Sequence, residues 1–266
     1  MLKRIISILF TFLGLLVFVK IFIAESFSVA SGSMMPTIQI GDRIIVNKTL
    51  LGARIINPYS NKHNRIVRLY GLGKIKPDDV ILFNIPFVND ISSGLYMDYG
   101  TYYCKRVLGT PGDRIGAVDG HCWNDRVLRP IGVVQEQEKL RWMFDSVFIW
   151  RQCYDVIPLS RSGWNIKNWG PLTVPAKGLT LPLDDFTRQL YCQVIEYETG
   201  EPLDESITEY TFQEDYYFAV GDNAMDSYDS RYWGFIPEDF IIGIVAGHRN
   251  HIIMRVETEL TQISRN

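Results

Sequence analysis

The chain has 266 residues, of which 47% are hydrophobic and 21% charged, so it is long and apolar enough to fold around a sizeable core. This composition excludes an intrinsically disordered chain, and it excludes fibrous and low-complexity proteins as well. A formal net charge of −3 at pH 7, with no long basic run or stripe, argues against binding to nucleic acid.

The first predicted element is a membrane-spanning helix over residues 5–24. This stretch is about 20 residues long, the length that crosses the hydrocarbon core of a bilayer, and its one charged residue, Lys20, lies near its end. Two basic residues precede it, so the positive-inside rule predicts that residues 1–4 are cytoplasmic and that the rest lies across the membrane. The alternative is a cleaved secretory signal peptide, since Ser-Val-Ala at residues 28–30 offers small side chains at −3 and −1 of a cut. The apolar stretch is longer than such peptides usually have, which favours a retained anchor.

Six segments after the anchor have the alternating, β-branched or aromatic pattern of strands, bounded by turn residues. They are residues 42–47, 79–84, 102–108, 114–118, 216–220 and 241–246. The pattern loosens over residues 119–208, which predicts an inserted β-rich subdomain or a set of long excursions. No convincing amphipathic helix follows the anchor. The predicted fold is therefore mostly β, with one N-terminal transmembrane helix and an antiparallel β-rich domain in two parts, residues 25–118 and 209–266, around the insertion.

Cysteine and histidine side chains are scattered along the chain without the spacings of a metal site. The cysteines, which could form disulfides in an exported domain, are Cys104, Cys122, Cys153 and Cys192. The histidines are His63, His121, His248 and His251. We expect no metal and no cofactor. Four aromatic residues of the insertion, expected mostly in core packing rather than at a membrane interface, are Trp142, Phe144, Phe148 and Trp150.

Three segments hold polar residues in a pattern that indicates chemistry. The first is SGSMMPT from Ser31, the second is KRVLGTPGD from Lys105, and the third runs from GDN at Gly221 to DSRYWG ending at Gly234. Each alone has an ordinary explanation, because Ser-Gly-Ser suits a turn, a strand lysine usually faces solvent, and Asp and Asn cap loops. Their occurrence together, the first of them directly after an apolar helix, makes a shared function the better explanation.

Together the three segments resemble the type I signal peptidases, which are membrane-bound serine endopeptidases that use a Ser/Lys dyad. The resemblance also covers the anchor but not the insertion. It implies that Ser33 is the nucleophile, that Lys105 is the general base, and that the two-part β domain is catalytic. It further implies an enzyme of the bacterial cytoplasmic membrane that removes signal peptides on the outer face, cutting after small residues at −1 and −3. Its partners would be signal-peptide-bearing preproteins and the lipid bilayer.

The residue types agree with these roles. A serine hydroxyl is a weak nucleophile and needs a base within hydrogen-bond reach. Lysine can serve only when its amine is uncharged, and with a reference pKa of about 10.4 it must be desolvated to lose its proton near neutral pH. Alternation along the strand places Tyr103 and Lys105 on one face and Cys104 on the other. Burial of Lys105 is therefore the physical condition on which the chemistry depends.

The resemblance also implies residues that contact the substrate. The Ser33 backbone N–H and the Ser31 hydroxyl would stabilise the oxyanion of the tetrahedral intermediate. Shallow apolar pockets near Ser33 would be lined by Met34, Tyr103 and Cys104. Pockets of this kind admit only small side chains, as the expected cleavage preference requires.

Four further polar residues would hold the dyad in place without taking part in the reaction themselves: Ser227, Asp222, Asp229 and Arg231. By the same resemblance, Ser227 would orient the lysine amine, and Asp229 and Arg231 would form an ion pair within a network that includes Asp222. The family's commonest pattern here is GDNRDNS, whereas this chain has GDNAMDS. The spacing to Ser227 is preserved, but any salt bridge made by the replaced Arg and Asp is absent.

Two other positions depart from the family pattern. Thr110 stands where the turn often has Leu, and Cys104 stands where an aliphatic residue is usual. A small buried thiol suits a pocket wall, so Cys104 is expected to be unpaired. At most one disulfide would then form among the remaining cysteines, Cys122, Cys153 and Cys192.

Alternative functions remain open on the sequence alone. A dedicated maturation peptidase for one pilin-like or conjugation-system substrate would share the Ser/Lys chemistry, as would a self-cleaving repressor, against which the anchor argues. From another class, a non-catalytic membrane-tethered binding domain would be expected to lack Ser33 or Lys105, and both are present. Self-cleavage after Ala30 is a further hypothesis, raised by the small residues before it.

Overall fold

The structure is a computed structural model that describes residues 2–56, 66–87, 95–143 and 164–248. Several residues singled out above lie outside this part of the chain: His63, Phe144, Phe148, Trp150, Cys153 and His251. In chain order, the strands are β1 (Ala24–Ser28), β2 (Arg43–Asn47), β3 (Arg54–Ile56), β4 (Ile66–Arg68), β5 (Val80–Phe87), β6 (Tyr96–Gly109), β7 (Arg114–Val118), β8 (His121–Asn124), β9 (Trp169–Thr173), β10 (Thr180–Pro182), β11 (Glu209–Thr211), β12 (Tyr216–Val220), β13 (Ile236–Pro237) and β14 (Ile241–His248). The helices are α1 (Leu2–Phe18), α2 (Val134–Arg141), α3 (Asp185–Thr199) and α4 (Ser230–Trp233). The predicted fold class, a mostly β and antiparallel chain with one N-terminal apolar helix, is confirmed.

The N-terminus is a single apolar helical segment. α1 passes into a π-helical turn over Val19–Ile23, and β1 follows directly. The whole segment, Leu2–Ile23, has 22 residues and a mean hydropathy of 2.6, so it is long and apolar enough to cross a membrane. Lys48 fastens its end to the sheet, because the Lys48 amine donates to Lys20 O at 2.9 Å and to Glu25 Oε2 at 2.7 Å.

A seven-stranded antiparallel sheet forms the centre of the fold, in the order β1-β2-β14-β5-β6-β12-β13. β6 lies between β5 and β12, so both of its edges are hydrogen-bonded over the stretch that carries Lys105. Ile81 of β5 is opposite Lys105, and Val220 of β12 is opposite Arg106. The lysine therefore projects from an interior strand rather than from the edge of the sheet.

Alternation along the central strands divides the apolar side chains between the two faces of the sheet. Ile81 and Phe83 of β5 lie in one buried cluster. Their neighbours Val80 and Leu82 lie in a second cluster on the other face, together with Met34. A third and larger cluster joins α3, β7, β9 and β12.

All six segments predicted as strands are strands, as β2, β5, β6, β7, β12 and β14. The ends of β7 and β12 are as predicted, whereas β6 begins earlier, at Tyr96. The central strands β5 and β12 carry continuous apolar runs, because both faces of the sheet are buried there. For this reason the centre of the sheet was the most predictable part of the fold.

The expectation that no amphipathic helix follows the anchor is wrong, because α3 is one. Its buried face consists of Leu190, Tyr191, Val194 and Ile195. Asp184 and Thr187 form a capping box at its start, and Gly200 ends it in the left-handed conformation with a φ of 74°. The β-branched and aromatic residues on the apolar face gave the segment a strand-like composition, which hid its helical period.

The region predicted as an insertion contains both strands and helices. β8 and β9 pair with β7 in a three-stranded sheet, and β10 pairs with β11. In the three-stranded sheet, β7 belongs to residues 25–118 and its two partners belong to residues 119–208, so this sheet crosses the predicted boundary. The division into domains stays a prediction. Of the four aromatic residues expected mostly in core packing, Trp142 is the one that the structure describes, and its side chain is 76% exposed just beyond the end of α2.

Candidate active site

Ser33 lies in a turn that follows β1, and the buried residues that come after it hold it there. Met34 and Ile38 are 1% and 0% exposed, and Ile38 N donates to Met34 O at 2.9 Å, so the turn is fixed to the core. The third motif segment packs against the backbone of this turn. Asn223 N donates to Ser33 O at 3.0 Å, and the Asn223 side-chain amide donates to Gly32 O at 3.2 Å.

Lys105 reaches Ser33 from β6. Lys105 Nζ donates to Ser33 Oγ at 2.5 Å, and the side chains are 3% and 6% exposed. The Tyr103 ring, on the same face of β6, lies 5.3 Å from the amine. The predicted burial of Lys105 and the predicted separation of Tyr103 from Cys104 are confirmed, since Cys104 packs on the opposite face.

Burial lowers the pKa of Lys105, because an ammonium group loses its hydration there. The charges of Asp229 and Asp222 oppose this effect, while the charge of Arg231 adds to it. The amine is therefore driven toward its uncharged form by desolvation, and the nearby carboxylates only partly restore its affinity for a proton.

The predicted ion pair between Asp229 and Arg231 is present and buried, with exposures of 0% and 2%. Arg231 Nη2 donates to Asp229 Oδ2 at 2.6 Å, and Arg231 Nε donates to Asp229 Oδ1 at 2.8 Å. Burial alone would raise the pKa of Asp229, but Arg231 holds it below its usual value. The carboxylate also accepts from Gly221 N at 2.8 Å, which fixes the third segment beside the lysine.

Ser227 contacts this ion pair rather than the amine. Its hydroxyl donates to Asp229 Oδ2 at 2.5 Å, and no hydrogen bond joins it to Lys105 within the described part of the chain. A Cβ on Gly221 would lie 2.2 Å from Ser227 Oγ and 2.6 Å from Ser33 O, so only glycine lets the two segments approach this closely. Ser227 therefore positions Asp229, which in turn acts on the lysine through its charge.

Asp222 was expected in the same network as Asp229, but the structure places it in a separate pair with Arg106. Arg106 donates to Asp222 Oδ1 from Nε and to Asp222 Oδ2 from Nη2, both at 2.7 Å. Thr37 donates to the same carboxylate, and Arg106 also lies 3.2 Å from Asp78. Hydrogen bonds to the Asp222 carboxylate thus join Thr37, Arg106 and Asp222, one residue from each motif segment.

Sequence reasoning missed Arg106 and Thr37, although both lie inside the quoted motifs. Alternation along β6 does give a usable signal, because the residue after a buried lysine must point to the other face of the strand. A largely buried guanidinium on that side of the strand needs a carboxylate partner. The partner itself, Asp222, lies too far along the chain for spacing to identify it.

The hydroxyls of Ser31 and Ser33 lie on the same side of the turn, with their oxygens 3.4 Å apart. Ser31 is exposed, and the Ser33 backbone N–H has no acceptor among the residues described. A Cβ on Gly32 would lie 3.3 Å from Met35 Sδ, so the turn is tightly packed between these donors. Both donors are free to point at a substrate carbonyl.

The residues predicted to line substrate pockets are enclosed to different degrees. Met34 is 1% exposed and packs in the core, while Tyr103 and Cys104 are half-buried. Burial raises the pKa of the Cys104 thiol to about 12, so it is unreactive. Substrate contact by these side chains stays a prediction.

Thiols and metal-ligating groups outside the dyad form no cluster in the part of the chain described. Cys104, Cys122 and Cys192 are free thiols. Within residues 2–56, 66–87, 95–143 and 164–248, no three His, Cys, Asp or Glu side chains are grouped so that they could hold a metal ion.

Comparison with known proteins gives a consistent result. The chain matches the family described as signal peptidase, peptidase S26, over residues 2–247. A signal peptidase I from Buchnera aphidicola (strain Sg) is 27% identical over 90% of this chain and 72% of its own length. A signal peptidase I from Aquifex aeolicus is 26% identical over 91% of this chain and 81% of its own length. A crystal structure of a signal peptidase I from Enterococcus faecalis aligns with 66% of this chain and 99% of its own, at 19% identity and a TM-score of 0.33.

The family match covers almost the whole chain, and it includes all three motif segments and the apolar helix. A non-catalytic binding domain is therefore excluded, and so is a cytosolic repressor. The chain belongs to the peptidase S26 family of signal peptidases and is an enzyme that removes signal peptides.

Proposed function

We propose that this signal peptidase cleaves its substrates with Ser33 as the nucleophile and Lys105 as the general base. The observation that carries the proposal is the 2.5 Å hydrogen bond between Lys105 Nζ and Ser33 Oγ in a buried setting. A general base must lie within hydrogen-bond reach of the atom whose proton it takes, and this pair is in direct hydrogen-bond contact before substrate binds. The lowered pKa of Lys105 supplies the second requirement, an amine that can accept a proton.

The proposed reaction has two half-steps. The uncharged Lys105 amine takes the proton of Ser33 Oγ as that oxygen attacks the scissile carbonyl carbon, and the resulting ammonium gives the proton to the departing amine. The carbonyl oxygen becomes an oxyanion that the Ser33 N–H and the Ser31 hydroxyl stabilise. Water then attacks the acyl-enzyme, its proton passes to Lys105, and Ser33 Oγ leaves with a proton returned by that ammonium.

The Asp229–Arg231 pair has a clear electrostatic role in this scheme. An unpaired carboxylate near Lys105 would hold a proton on the amine, because opposite charges in a buried site stabilise each other strongly. Arg231 opposes this effect, since its guanidinium lies 2.6 Å from the carboxylate and its charge lowers the pKa of Lys105. Asp229 can therefore order Ser227 and Gly221 without charging the base.

We propose that the substrates are exported preproteins with small residues at −1 and −3, cut at the membrane surface. Residues 5–24, nearly all of which lie in the apolar segment Leu2–Ile23, would be the anchor, with residues 1–4 cytoplasmic and the catalytic domain on the outer face of the bacterial cytoplasmic membrane. β1 follows the helix directly and Ser33 comes soon after β1, which supports a site close to the bilayer. The second candidate, a dedicated peptidase for one pilin-like substrate, uses the same dyad and differs only in the range of preproteins cut.

The decisive experiment uses the full chain in detergent with a model preprotein that has Ala at −3 and −1. The N-terminus of the product is sequenced. Ser33→Ala and Lys105→Ala should each abolish cleavage, whereas the exposed control variants Ser206→Ala and Lys177→Ala should cleave normally. Cleavage by Lys105→Ala at close to the wild-type rate would overturn the dyad. Failure on several generic preproteins, with cleavage of a pilin-like one, would favour the second candidate.

A further inference from the structure

The buried charges around Ser33 and Lys105 are matched in sign. Asp229 pairs with Arg231, and Asp222 pairs with Arg106, at N–O distances of 2.6 and 2.7 Å. In the proposed mechanism Lys105 is uncharged in the resting enzyme. Almost no net charge therefore reaches the substrate from the interior of the site.

Asp226 is the exception, and it lies on the surface beside the nucleophile turn. It ends a single turn of 3₁₀-helix, Ala224–Asp226, and the turn is held by the bond from Asp226 N to Asn223 O at 3.0 Å. Asn223 in turn donates to Gly32 O and Ser33 O. The position of Asp226 relative to Ser33 is therefore fixed through a short chain of backbone contacts.

The carboxylate of Asp226 faces Gly32, the residue before the nucleophile. Asp226 Oδ2 lies 3.5 Å from the position that a Cβ on Gly32 would occupy. No hydrogen bond or ion pair to this carboxylate occurs among the residues that the structure describes, and the residue is exposed. The other two side chains that a Cβ on Gly32 would meet, Met35 and Ile40, are apolar. An extended peptide that places its carbonyl carbon on Ser33 Oγ must pass this surface.

We propose that Asp226 is a specificity-determining residue that selects substrates with a basic side chain next to the scissile bond and disfavours acidic ones. The inference rests on the proposed function of Ser33 and Lys105. A cation on the peptide gains an opposite charge that has no competing partner, whereas an acidic side chain meets a like charge. Because Asp226 is exposed, the expected effect is two- to fivefold in kcat/KM, the range of exposed charge pairs, and salt should reduce it.

The test uses the full-length enzyme in a non-ionic detergent and sets of three peptides. Within a set the peptides differ only by Lys, Gln or Glu at one position, and the sets scan −2, +1 and +2. At one position or more, the Lys peptide should be cleaved about two- to fivefold faster than the Gln peptide at low salt, and the Glu peptide slower by a similar factor. Asp226→Asn should bring the Lys-to-Glu ratio close to one, while Asp226→Glu should keep it. Glu209→Gln, which removes an exposed charge on β11, should leave the ratio unchanged.

The outcomes separate this inference from the proposed function. Cleavage of the Gln peptides that depends on Ser33, with no charge preference at any of the three positions, overturns the role of Asp226 alone. A charge preference that survives in Asp226→Asn does the same. Cleavage of the peptides by Ser33→Ala, or no cleavage of any peptide, overturns both proposals together.

Discussion

Two polar clusters lie inside this molecule, and they hold charge in opposite ways. The dyad cluster contains alternating signs: Lys105, Arg106, Asp222, Asp229 and Arg231. The carboxyl cluster, near the end of α3 and the start of β14, contains acidic groups with tyrosines around them: Glu198, Glu214, Glu238, Asp239, Tyr210, Tyr216 and Tyr217. In the first, each buried carboxylate has a guanidinium partner within 2.7 Å. In the second, Asp239 lies 4.0 Å from Arg68, but the Glu198 carboxylate accepts from two tyrosine hydroxyls at 2.8 and 3.0 Å.

This difference decides which titratable group in each cluster becomes neutral. In the dyad cluster the carboxylates stay ionised because arginines hold them, so the lysine amine is the group that burial drives to its neutral form. In the carboxyl cluster, burial and the charges of Asp239, Glu198 and Glu238 raise the pKa of Glu214 to about 7, against the opposing charge of Lys177. The molecule therefore has a buried amine, Lys105, that desolvation drives toward its neutral form, and a half-buried carboxyl, Glu214, that takes up a proton near neutral pH.

The largest effect is expected from Lys105→Arg, which keeps a positive charge where the mechanism requires a neutral base. A guanidinium stays protonated at every accessible pH, so cleavage should fall by at least about 10³-fold, within the range of general-base removal. In the wild type, kcat/KM should rise with pH through the lowered pKa of Lys105, because only the deprotonated amine accepts the serine proton. Peptide cleavage measured from pH 6 to pH 10 checks both points. A wild-type rate that falls across this range would contradict the assignment of the base.

A second large effect is expected from Arg231→Met, which removes the pairing that characterises the dyad cluster. Asp229 would be left charged and fully buried, and breaking a buried pair in this way costs about 3–5 kcal/mol in the free energy of unfolding. The matched control is Arg129→Met, because the Arg129 side chain is 46% exposed in its contact with Asp78 and should matter by less than about 1 kcal/mol. Urea unfolding of the detergent-solubilised protein compares the two variants.

The pH dependence of kcat/KM distinguishes the effect of charge pairing from the effect of packing. With Arg231 gone, the uncompensated Asp229 carboxylate should stabilise the Lys105 ammonium and move the rise of kcat/KM to higher pH. The double variant Asp229→Asn/Arg231→Met should reverse most of that displacement. If the two variants show the same pH profile as the wild type, Arg231 serves only the stability of the fold.

The sequence was a good guide to the dyad cluster, because both its strand pattern and its motifs are local. Alternation along residues 102–108 placed Lys105 on the same face as Tyr103, and the resemblance carried by the motifs pointed to Ser33 and the Asp229–Arg231 pair. Contacts between distant segments were less accessible. The hydrogen bond from Arg106 to Asp222 joins residues 116 positions apart, and their spacing in the sequence does not predict it.

The carboxyl cluster was not predicted at all, for a related reason. Its members come from α3, the turn after β11 and the turn before β14, and α3 itself was missed because its apolar face is rich in β-branched and aromatic residues. Glu198 gains its role only when that helix brings it to Tyr210 and Tyr216. Acidic residues in three separate segments resemble ordinary surface charges until the fold places them together.

The smallest effect, and the one that tests the carboxyl cluster directly, is expected from Glu214→Gln. The pKa of Glu214 is about 7 in the folded protein against an ordinary value of 4.5, so the folded state favours the protonated carboxyl. That preference stabilises the fold fully below about pH 4.5 and is lost as the pH rises to about 7. Glutamine cannot ionise, so the variant should be more stable than the wild type at pH 8. The difference should be about 1 kcal/mol, less than a fully buried group would show, because the side chain is only half-buried.

The measurement is the free energy of unfolding in urea at pH 5 and at pH 8, with Glu205→Gln as an exposed control. The gain from Glu214→Gln should be present at pH 8 and nearly absent at pH 5, while the control should change little at either pH. An equal gain at both values would mean that packing, not ionisation, explains the variant. A loss of stability at pH 8 would mean that the Glu214 charge is paired after all, and the two clusters would then hold charge in the same way.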